Sequence, residues 1–588
     1  MTQLIVANFE TGYEFGSYFE HSQIYITHFA LENQIEIDIL LINPPFRLIP
    51  PFKYKLIDPP RNLALLAAVL RKKDLSVKIF DMPILEADFE SIIPVLKDCE
   101  PKVVGILNRS TYSFPITSKT AGIIKKFNSN IPVVVGGTYV SFSSEEAMNQ
   151  CSDIDFIVVG EGEKPLPSLA RALINNKDVR DIKGIVYRDE ENNQLVITEK
   201  PAPIDLDDIP LPAIDLIPID IYVSRNERYI LDISRGCKKS CPYCTSSLVK
   251  GSIRYRDAEQ IIDEISAAYD KGFRNFYFID DMFTANRELV KDICNKIIES
   301  QFSIKWPCMS HVDGVDEETL ILMKKAGCDL IAFGVETTNS KTLEEIGKLG
   351  QLEKIQSAFD ITKKCGLRPL AFVMFGMPNS TFKDDLNTIA FLTALEPDAV
   401  GVFSFKPYPG TVYFNHPEKF GLIITDRNLY RWSQLDEPTH ELADNSRQQI
   451  IESMMICNYI YRSAGTFSCG VKYRHKKGVI VLKSMQGGLL YNPYVSDDLR
   501  KTDMYLNCVK LDQIHYEVIS RLDGYHNSED IAWYLNKLFD LTFDQSISQI
   551  NTIIEKTLVM GIIEEIPDVM SGKTELEKSS LINGGGLV

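Results

Sequence analysis

From Ile35 onward the chain alternates short apolar, often β-branched runs with amphipathic stretches. Ile35–Ile42, Ser76–Phe80, Val103–Leu107, Ile131–Val135 and Phe156–Val159 read as strands. Asn62–Lys72 and Thr117–Phe127 read as helices between them. Continuously apolar strands separated by helices predict a parallel sheet covered on both faces, an α/β doubly wound (Rossmann-like) domain assigned to residues 35–200. The alternating strand–helix series of this domain is expected to end near Asn175, with a small polar segment after it. Residues 1–34 carry five Tyr and Phe in the first 20 but no clean period, and stand as an N-terminal extension. The Pro-rich PAPIDLDDIPLP opens a linker over 201–228.

A second α/β series starts at Tyr229–Ser234 and continues through Asn275–Ile279, Ile304–Met309, Leu330–Gly334, Pro369–Phe375 and Ala399–Ser404. The helix after the first strand opens on a capping box, Asp257 with Gln260, and stops at Gly272. Six strands with intervening helices predict a partial (βα)6 TIM-like barrel over 229–411, its site at the C-terminal strand ends. A connector over 412–474 carries a helix around Gln448–Tyr461. GVIVLKSMQGGLLYN follows as a hairpin with Gly487-Gly488 as its turn. Helix-like segments at Leu511–Leu522, Ser528–Phe539 and Phe543–Met560 complete a winged-helix-like α+β domain over 475–566, and residues 567–588 form a disordered tail.

Composition narrows the classes. The chain of 588 residues has 63 Lys and Arg against 80 Asp and Glu, a net charge of −17, which repels phosphate surfaces and argues against nucleic-acid or polybasic membrane binding. Twelve cysteines are too few for a disulfide scaffold of this length. Neither a secretory signal nor an apolar run long enough to span a bilayer is visible, so a cytoplasmic protein is expected.

The most informative residues are RGCKKSCPYC, a C-x3-C-x2-C arrangement of Cys237, Cys241 and Cys244 directly after the first barrel strand. Three thiolates fall short of the four ligands of a structural zinc site. They suffice to hold three irons of a 4Fe–4S cluster and leave the fourth open to a substrate. The alternative is a zinc knot that borrows a distant ligand. With these residues the chain resembles the radical S-adenosylmethionine (SAM) family, from about Tyr229 to Thr411. In that family the open iron chelates the methionyl group, and reductive cleavage yields a 5′-deoxyadenosyl radical. The resemblance implies that the backbone of Tyr243 meets the adenine, that Asp280 and Asp281 of FIDDMF face the methionyl amine, and that Glu336 of FGVET is a polar contact to S-adenosyl-L-methionine. It also places Gly376 of FGMPNST and the PYPGT run (407–411) at cofactor-facing strand ends. One departure is His311 in SHVD, where many relatives carry an Arg; an imidazole cannot make the bidentate carboxylate contact of a guanidinium.

Upstream, NPPF (43–46), NRSTYSF (108–114), VVGGTYVS (134–141) and VGEGE (159–163) resemble the loops of the cobalamin-binding domain of class B radical SAM enzymes. The resemblance implies cobalamin contacts from Ser110, Thr111, Gly136, Gly137, Gly160 and Glu161. The eight histidines are His21, His28, His311, His416, His440, His475, His515 and His526, so none falls within that domain. A base-off, His-off cobalamin is therefore expected, its lower face covered near Asn108–Phe114. Residues 475–566 resemble the PqqD-like recognition domain of peptide-modifying systems. Over 505–566 acids outnumber bases ten to four, the wrong sign for a DNA-binding winged helix.

These readings combine into a cobalamin-dependent radical SAM enzyme that C-methylates an unactivated carbon of a ribosomally made precursor peptide. Its partners are that peptide, with the leader on the C-terminal domain, and a flavodoxin or ferredoxin as reductant. No catalytic residue beyond the cysteines is nominated. The rivals are epimerisation, cyclisation or a small-molecule substrate with the same cofactors, and a non-enzymatic, metal-stapled peptide-binding scaffold.

Overall fold

The run Ile39–Asn43 (β1) is buried along its whole length, as a central strand covered on both faces must be. In the computed structural model it lies between β2 (Val77–Asp81) and β3 (Val103–Asn108), parallel to both. The sheet continues through β4 (Val133–Gly137), β5 (Phe156–Val158), β6 (Ile185–Arg188) and β7 (Leu195–Ile197), in the order β2-β1-β3-β4-β5-β6-β7. Strand order reverses between β1 and β3, the switch point at which doubly wound sheets open a crevice. The structure describes residues 36–45, 57–189, 191–239, 241–246, 249, 251–348, 350–434 and 438–462, and beyond these the backbone of five strands.

Two features depart from the sequence expectation. The polar segment after Asn175 contains β6 and β7, which add to the sheet as an antiparallel edge hairpin. Both strands are only three or four residues long, too short for periodicity to register. The stretch 201–228 is not a loose tether either. Leu206, Ile209, Ala213, Ile217, Ile219, Ile221 and Tyr222 are buried, and a short helix spans Ile219–Ser224.

A second sheet holds six parallel strands in the order β15-β14-β13-β12-β11-β8. They are β8 (Tyr229–Leu231), β11 (Phe276–Phe278), β12 (Trp306–Ser310), β13 (Cys328–Glu336), β14 (Arg368–Phe375) and β15 (Ala399–Ser404). A two-stranded antiparallel ribbon, β9 (Ser234–Arg235) with β10 (Arg254–Tyr255), lies between the first two in sequence. The helix Ala258–Asp270 is capped by Asp257, whose carboxylate accepts from Glu259 and Gln260 N–H. Gln260 does not close the box; its amide donates to the Ile209 carbonyl at 2.8 Å and so ties this helix to the 201–228 stretch, a strap along the two sheets. The helix Arg447–Arg462 follows, and the fully buried Ile450 packs it onto the sheet.

Of the predicted C-terminal domain only backbone strands are described. Ile480–Ser484 and Gly487–Tyr491 pair antiparallel, and Cys508–Leu511 joins the second. Ser484 pairs with Gly487 and Lys483 with Gly488, so the two glycines belong to the second strand rather than to the turn. The three predicted helices of that domain, the tail and residues 1–34 lie outside the described residues. Among the described residues no helix is long and apolar enough to cross a membrane.

The two sheets are joined through buried charge. Arg61, the first residue of the helix Arg61–Arg71, donates from Nη2 to Glu264 at 2.9 Å and pairs through Nη1 with Asp232 at 2.9 Å. Arg256 donates to the same oxygen, Glu264 Oε2, at 2.7 Å, and Tyr229 OH donates to Oε1 at 3.1 Å. Burial pushes the Glu264 carboxyl up, but Arg61 and Arg256 overcome it and hold it below the usual carboxylate range. Removing one partner leaves an uncompensated buried charge, which costs about 3–5 kcal/mol. Arg61→Met should therefore lower stability by about that amount, read from denaturant unfolding; a loss near zero would show that the network is not structural.

Candidate active site

A cavity of about 360 Å3 opens between the two sheets. One wall is sheet, with Leu41 of β1, Gly105 of β3, and Val134 and Gly136 of β4; another is helix, with Leu63, Leu66 and Leu166. Its rim is charged, with Arg61, Arg109, Glu161, Glu163, Asp232 and Arg235. A slot of this size takes one arm of a corrinoid rather than the whole molecule, and its apolar walls suit such an arm. Gly136, Gly137, Gly160 and Glu161 line it. At Gly137, with φ of +132°, a Cβ would lie 1.9 Å from the Asn108 carbonyl oxygen, so only glycine fits.

Ser110 and Thr111 do not line the slot. Ser110 forms a capping box with Ser113 over the turn Thr111–Ser113. The pair shapes the loop after β3 rather than the wall. Asn108, fully buried, sits behind it and reaches Ser113 and Thr117 through Nδ2, each at 3.2 Å. Glu161 lines the slot, but its carboxylate is taken by Arg254 and Arg235.

The cysteine loop leaves β9 and returns on β10, and Asp232, Ser234 and Arg235 at its base line the same slot. Cys237, Cys241 and Cys244 are half-buried and in no disulfide. Lys239 N–H points to Cys237 Sγ at 3.5 Å, and Cys244 N–H donates to the Cys241 carbonyl at 3.0 Å. Among the described residues no three His, Cys, Asp or Glu side chains converge as a single ion requires. Three thiols on one short loop can each bind a different iron of one cluster and leave the fourth iron open. The donor set on this loop fits the cluster.

Tyr243 of this loop and Glu336 at the end of β13 come together. Tyr243 OH donates to Glu336 Oε1 at 3.2 Å, and burial followed by that carboxylate pushes the phenol far up. Glu336 holds a left-handed backbone, φ +63°, a strained state that functional sites concentrate. Lys348, absent from the sequence reading, is buried here, 2.9 Å from Glu336 Oε1 and 3.0 Å from the Gly334 carbonyl. A lone lysine in GKLG gives no signal of this in sequence.

Asp280 stands apart from that group. Its carboxylate accepts from Ile233 N–H at 3.0 Å and Ser234 OH at 2.5 Å, so it anchors the β8–β9 junction, with its pKa pushed by burial to about 7. Asp281 beside it is half-buried. Gly376 follows β14, and its carbonyl accepts from Nε2–H of the buried His440 at 2.7 Å. His311 accepts from Asp313 N–H through Nδ1 at 3.3 Å as the cap of a short turn; burial, then Lys348, hold its pKa near about 4. It does the work of a cap, not of a guanidinium.

The Radical SAM superfamily matches residues 231–392, and the B12 binding domain matches residues 52–170. An uncharacterised methyltransferase of Pyrococcus horikoshii is 32% identical over 418 residues, which is 70% of this chain and 89% of the relative. An anaerobic magnesium-protoporphyrin IX monomethyl ester cyclase of Synechocystis is 24% identical, covering 68% of this chain and 82% of the relative. Among solved structures, the radical S-adenosylmethionine methyltransferase TsrM from Kitasatospora setae, with cobalamin and a 4Fe–4S cluster bound, aligns with a TM-score of 0.57 at 19% identity. That alignment covers 67% of this chain and 80% of the other.

Burial also holds His440 near a pKa of about 4, against roughly 6.5 when free. The unfolded chain thus takes up a proton that the folded one refuses. The stability this histidine contributes is full above pH of roughly 6.5 and is lost as pH falls toward about 4. His440→Gln, whose amide still donates to Gly376, should remove about 2 kcal/mol of the stability lost between roughly pH 7 and pH 5. An unchanged pH profile of thermal unfolding would contradict a neutral buried imidazole.

Proposed function

The chain belongs to the radical SAM superfamily, in the branch that carries a B12 binding domain, and from that premise we propose that it is a C-methyltransferase. It is a radical SAM enzyme whose cofactors are a 4Fe–4S cluster, S-adenosyl-L-methionine and cobalamin. When bound, these supply hydrogen-atom abstraction and a transferable methyl group. The net change would be a substrate C–H replaced by C–CH3: the hydrogen leaves in 5′-deoxyadenosine with methionine, the methyl comes from a second S-adenosyl-L-methionine that leaves as S-adenosylhomocysteine, and the reductant supplies two electrons. The observation that carries the reading is the shared cavity: the base of the cysteine loop and the glycines of β4 and the 159–163 loop line one slot.

In this reading Cys237, Cys241 and Cys244 hold the cluster. Tyr243, Glu336, Lys348 and Gly376 form the S-adenosyl-L-methionine wall, with Asp281 facing it and Asp280 fixing the loop's base. Gly136, Gly137 and Gly160 admit the cobalamin, while Ser110 and Thr111 shape the loop beneath it. The second sheet, open between β15 and β8, is read as a partial barrel. Apolar walls around the slot exclude water from a reactive radical.

The substrate is proposed to be a precursor peptide, its leader docked on residues 475–566 as a PqqD-like winged helix, with a flavodoxin or ferredoxin as reductant. Support comes from the hydrophobic spacing and acidic balance of that segment, and from sheet edges of the kind that accept an added strand. A small-molecule substrate is the second reading, favoured by the cyclase relative. Product mass decides the outcome: methylation adds a methyl, epimerisation changes nothing, and ring closure removes hydrogen.

Replacing Cys237, Cys241 or Cys244 by Ala should abolish 5′-deoxyadenosine formation, whereas Cys99→Ala or Cys457→Ala should leave iron content near normal. Undiminished 5′-deoxyadenosine from any loop variant would overturn the cluster assignment.

No histidine lies between His28 and His311, so no imidazole of the B12 domain reaches the cobalt. The cobalt signal of the Co(II) protein in electron paramagnetic resonance should show no nitrogen superhyperfine splitting. Such splitting would mean a nitrogen ligand and would refute this account of the lower face.

A further inference from the structure

Two carboxylates on the rim of the slot grip both stems of the cysteine loop. Glu163 pairs with Arg235 at 2.7 Å. Glu161 pairs with Arg235 at 3.5 Å and with Arg254, whose Nη1 stands 3.2 Å from Glu161 Oε2. Arg235 ends β9, two residues before Cys237, and Arg254 opens β10, where the loop returns. Arg254 donates in addition to the Ile204 carbonyl of the strap at 2.7 Å.

The stems are locked to each other as well. Arg254 and Arg235 are paired in the ribbon, and Gly236, with φ of +103°, brings the backbone so close that a Cβ there would lie 2.5 Å from the Ser252 carbonyl oxygen. The loop therefore moves with its two arginines. On the other side, Gly160, Glu161, Gly162 and Glu163 all form cavity wall, so whatever fills the slot touches the segment that carries the carboxylates. The Glu163 side chain is 6% exposed and that of Arg235 17%, so water screens this pair little.

We propose that Glu161, Glu163, Arg235 and Arg254 form a latch of positioning residues through which occupancy of the B12 slot sets the placement of the cysteine loop, and hence its affinity for S-adenosyl-L-methionine. The latch rests on the functional reading above. Linkage makes it reciprocal, so S-adenosyl-L-methionine changes cobalamin affinity by the same factor. Coupling of this kind amounts to roughly 5–150-fold in affinity.

The test uses the full chain, reconstituted anaerobically with iron and sulfide, with and without hydroxocobalamin. It reads the Kd for S-adenosyl-L-methionine without turnover and the electron paramagnetic resonance spectrum of the reduced cluster. Cobalamin should change that Kd by about fivefold or more and alter the cluster signal. In Glu161→Gln with Glu163→Gln the change should shrink below about twofold, with iron and corrinoid still bound. Arg254→Lys, which keeps the cation, should retain most of the response. If the double variant loses iron, Arg254→Gln replaces it under the same criterion. A native-like response in the uncoupled variant, or no response in the native chain, overturns the latch. A native chain that takes up no corrinoid overturns the functional reading too, and its absorbance reveals that before any S-adenosyl-L-methionine is added.

Discussion

Everything at the site depends on how Glu264 is neutralised. This carboxylate, 1% exposed, sits on a helix of the second sheet yet takes its main counter-charge from Arg61 of the first. A buried acid without partners would be strongly destabilising, and apolar contact alone leaves two domains free to slide. Arg61 also reaches Asp232, and Arg256 bridges the same two acids, so four charges fix one register. Asp232 and Arg61 line the slot as well. The contact that joins the domains is therefore part of the site wall.

That register explains the division of labour among the loops. The first sheet offers its switch-point crevice, and the second offers the loop after β8, so the two openings become a single slot. The strap over 201–228 keeps the register from the side. Asp207 accepts from Asp257 N–H at 2.7 Å, and Tyr222 OH donates to Asp81 at 2.6 Å. Burial raises the Asp81 pKa to about 6, while Tyr222 and Asn43 hold it down from going further. The strap over 201–228 thus binds both domains rather than separating them.

Much of this was legible in sequence because it is local. The apolar runs that became β1 to β5 and the six strands of the second sheet announce themselves within a few residues, and so does the C-x3-C-x2-C spacing. What the sequence does not disclose shares a cause. Glu161 reads as a ligand contact in VGEGE, and only the fold brings Arg254, 93 residues away, onto it. Asp280 looks available for a cation until Ile233 and Ser234, 47 and 46 residues distant, are seen to bond it. Arg61 and Glu264, separated by 203 residues, carry no mutual signal at all. Local periodicity records burial, whereas the chemistry of a rim residue is settled by partners that the chain order hides.

The central claim is that the cysteine loop and the B12 slot form one site. The most direct measurement is the magnetic interaction between the reduced cluster and Co(II) cobalamin in the full chain. One site predicts that the cobalt signal relaxes faster when the cluster is reduced, and that the effect disappears in Cys241→Ala. Two spectra that simply add, with unchanged cobalt relaxation, would mean that the cofactors are remote and would contradict the account.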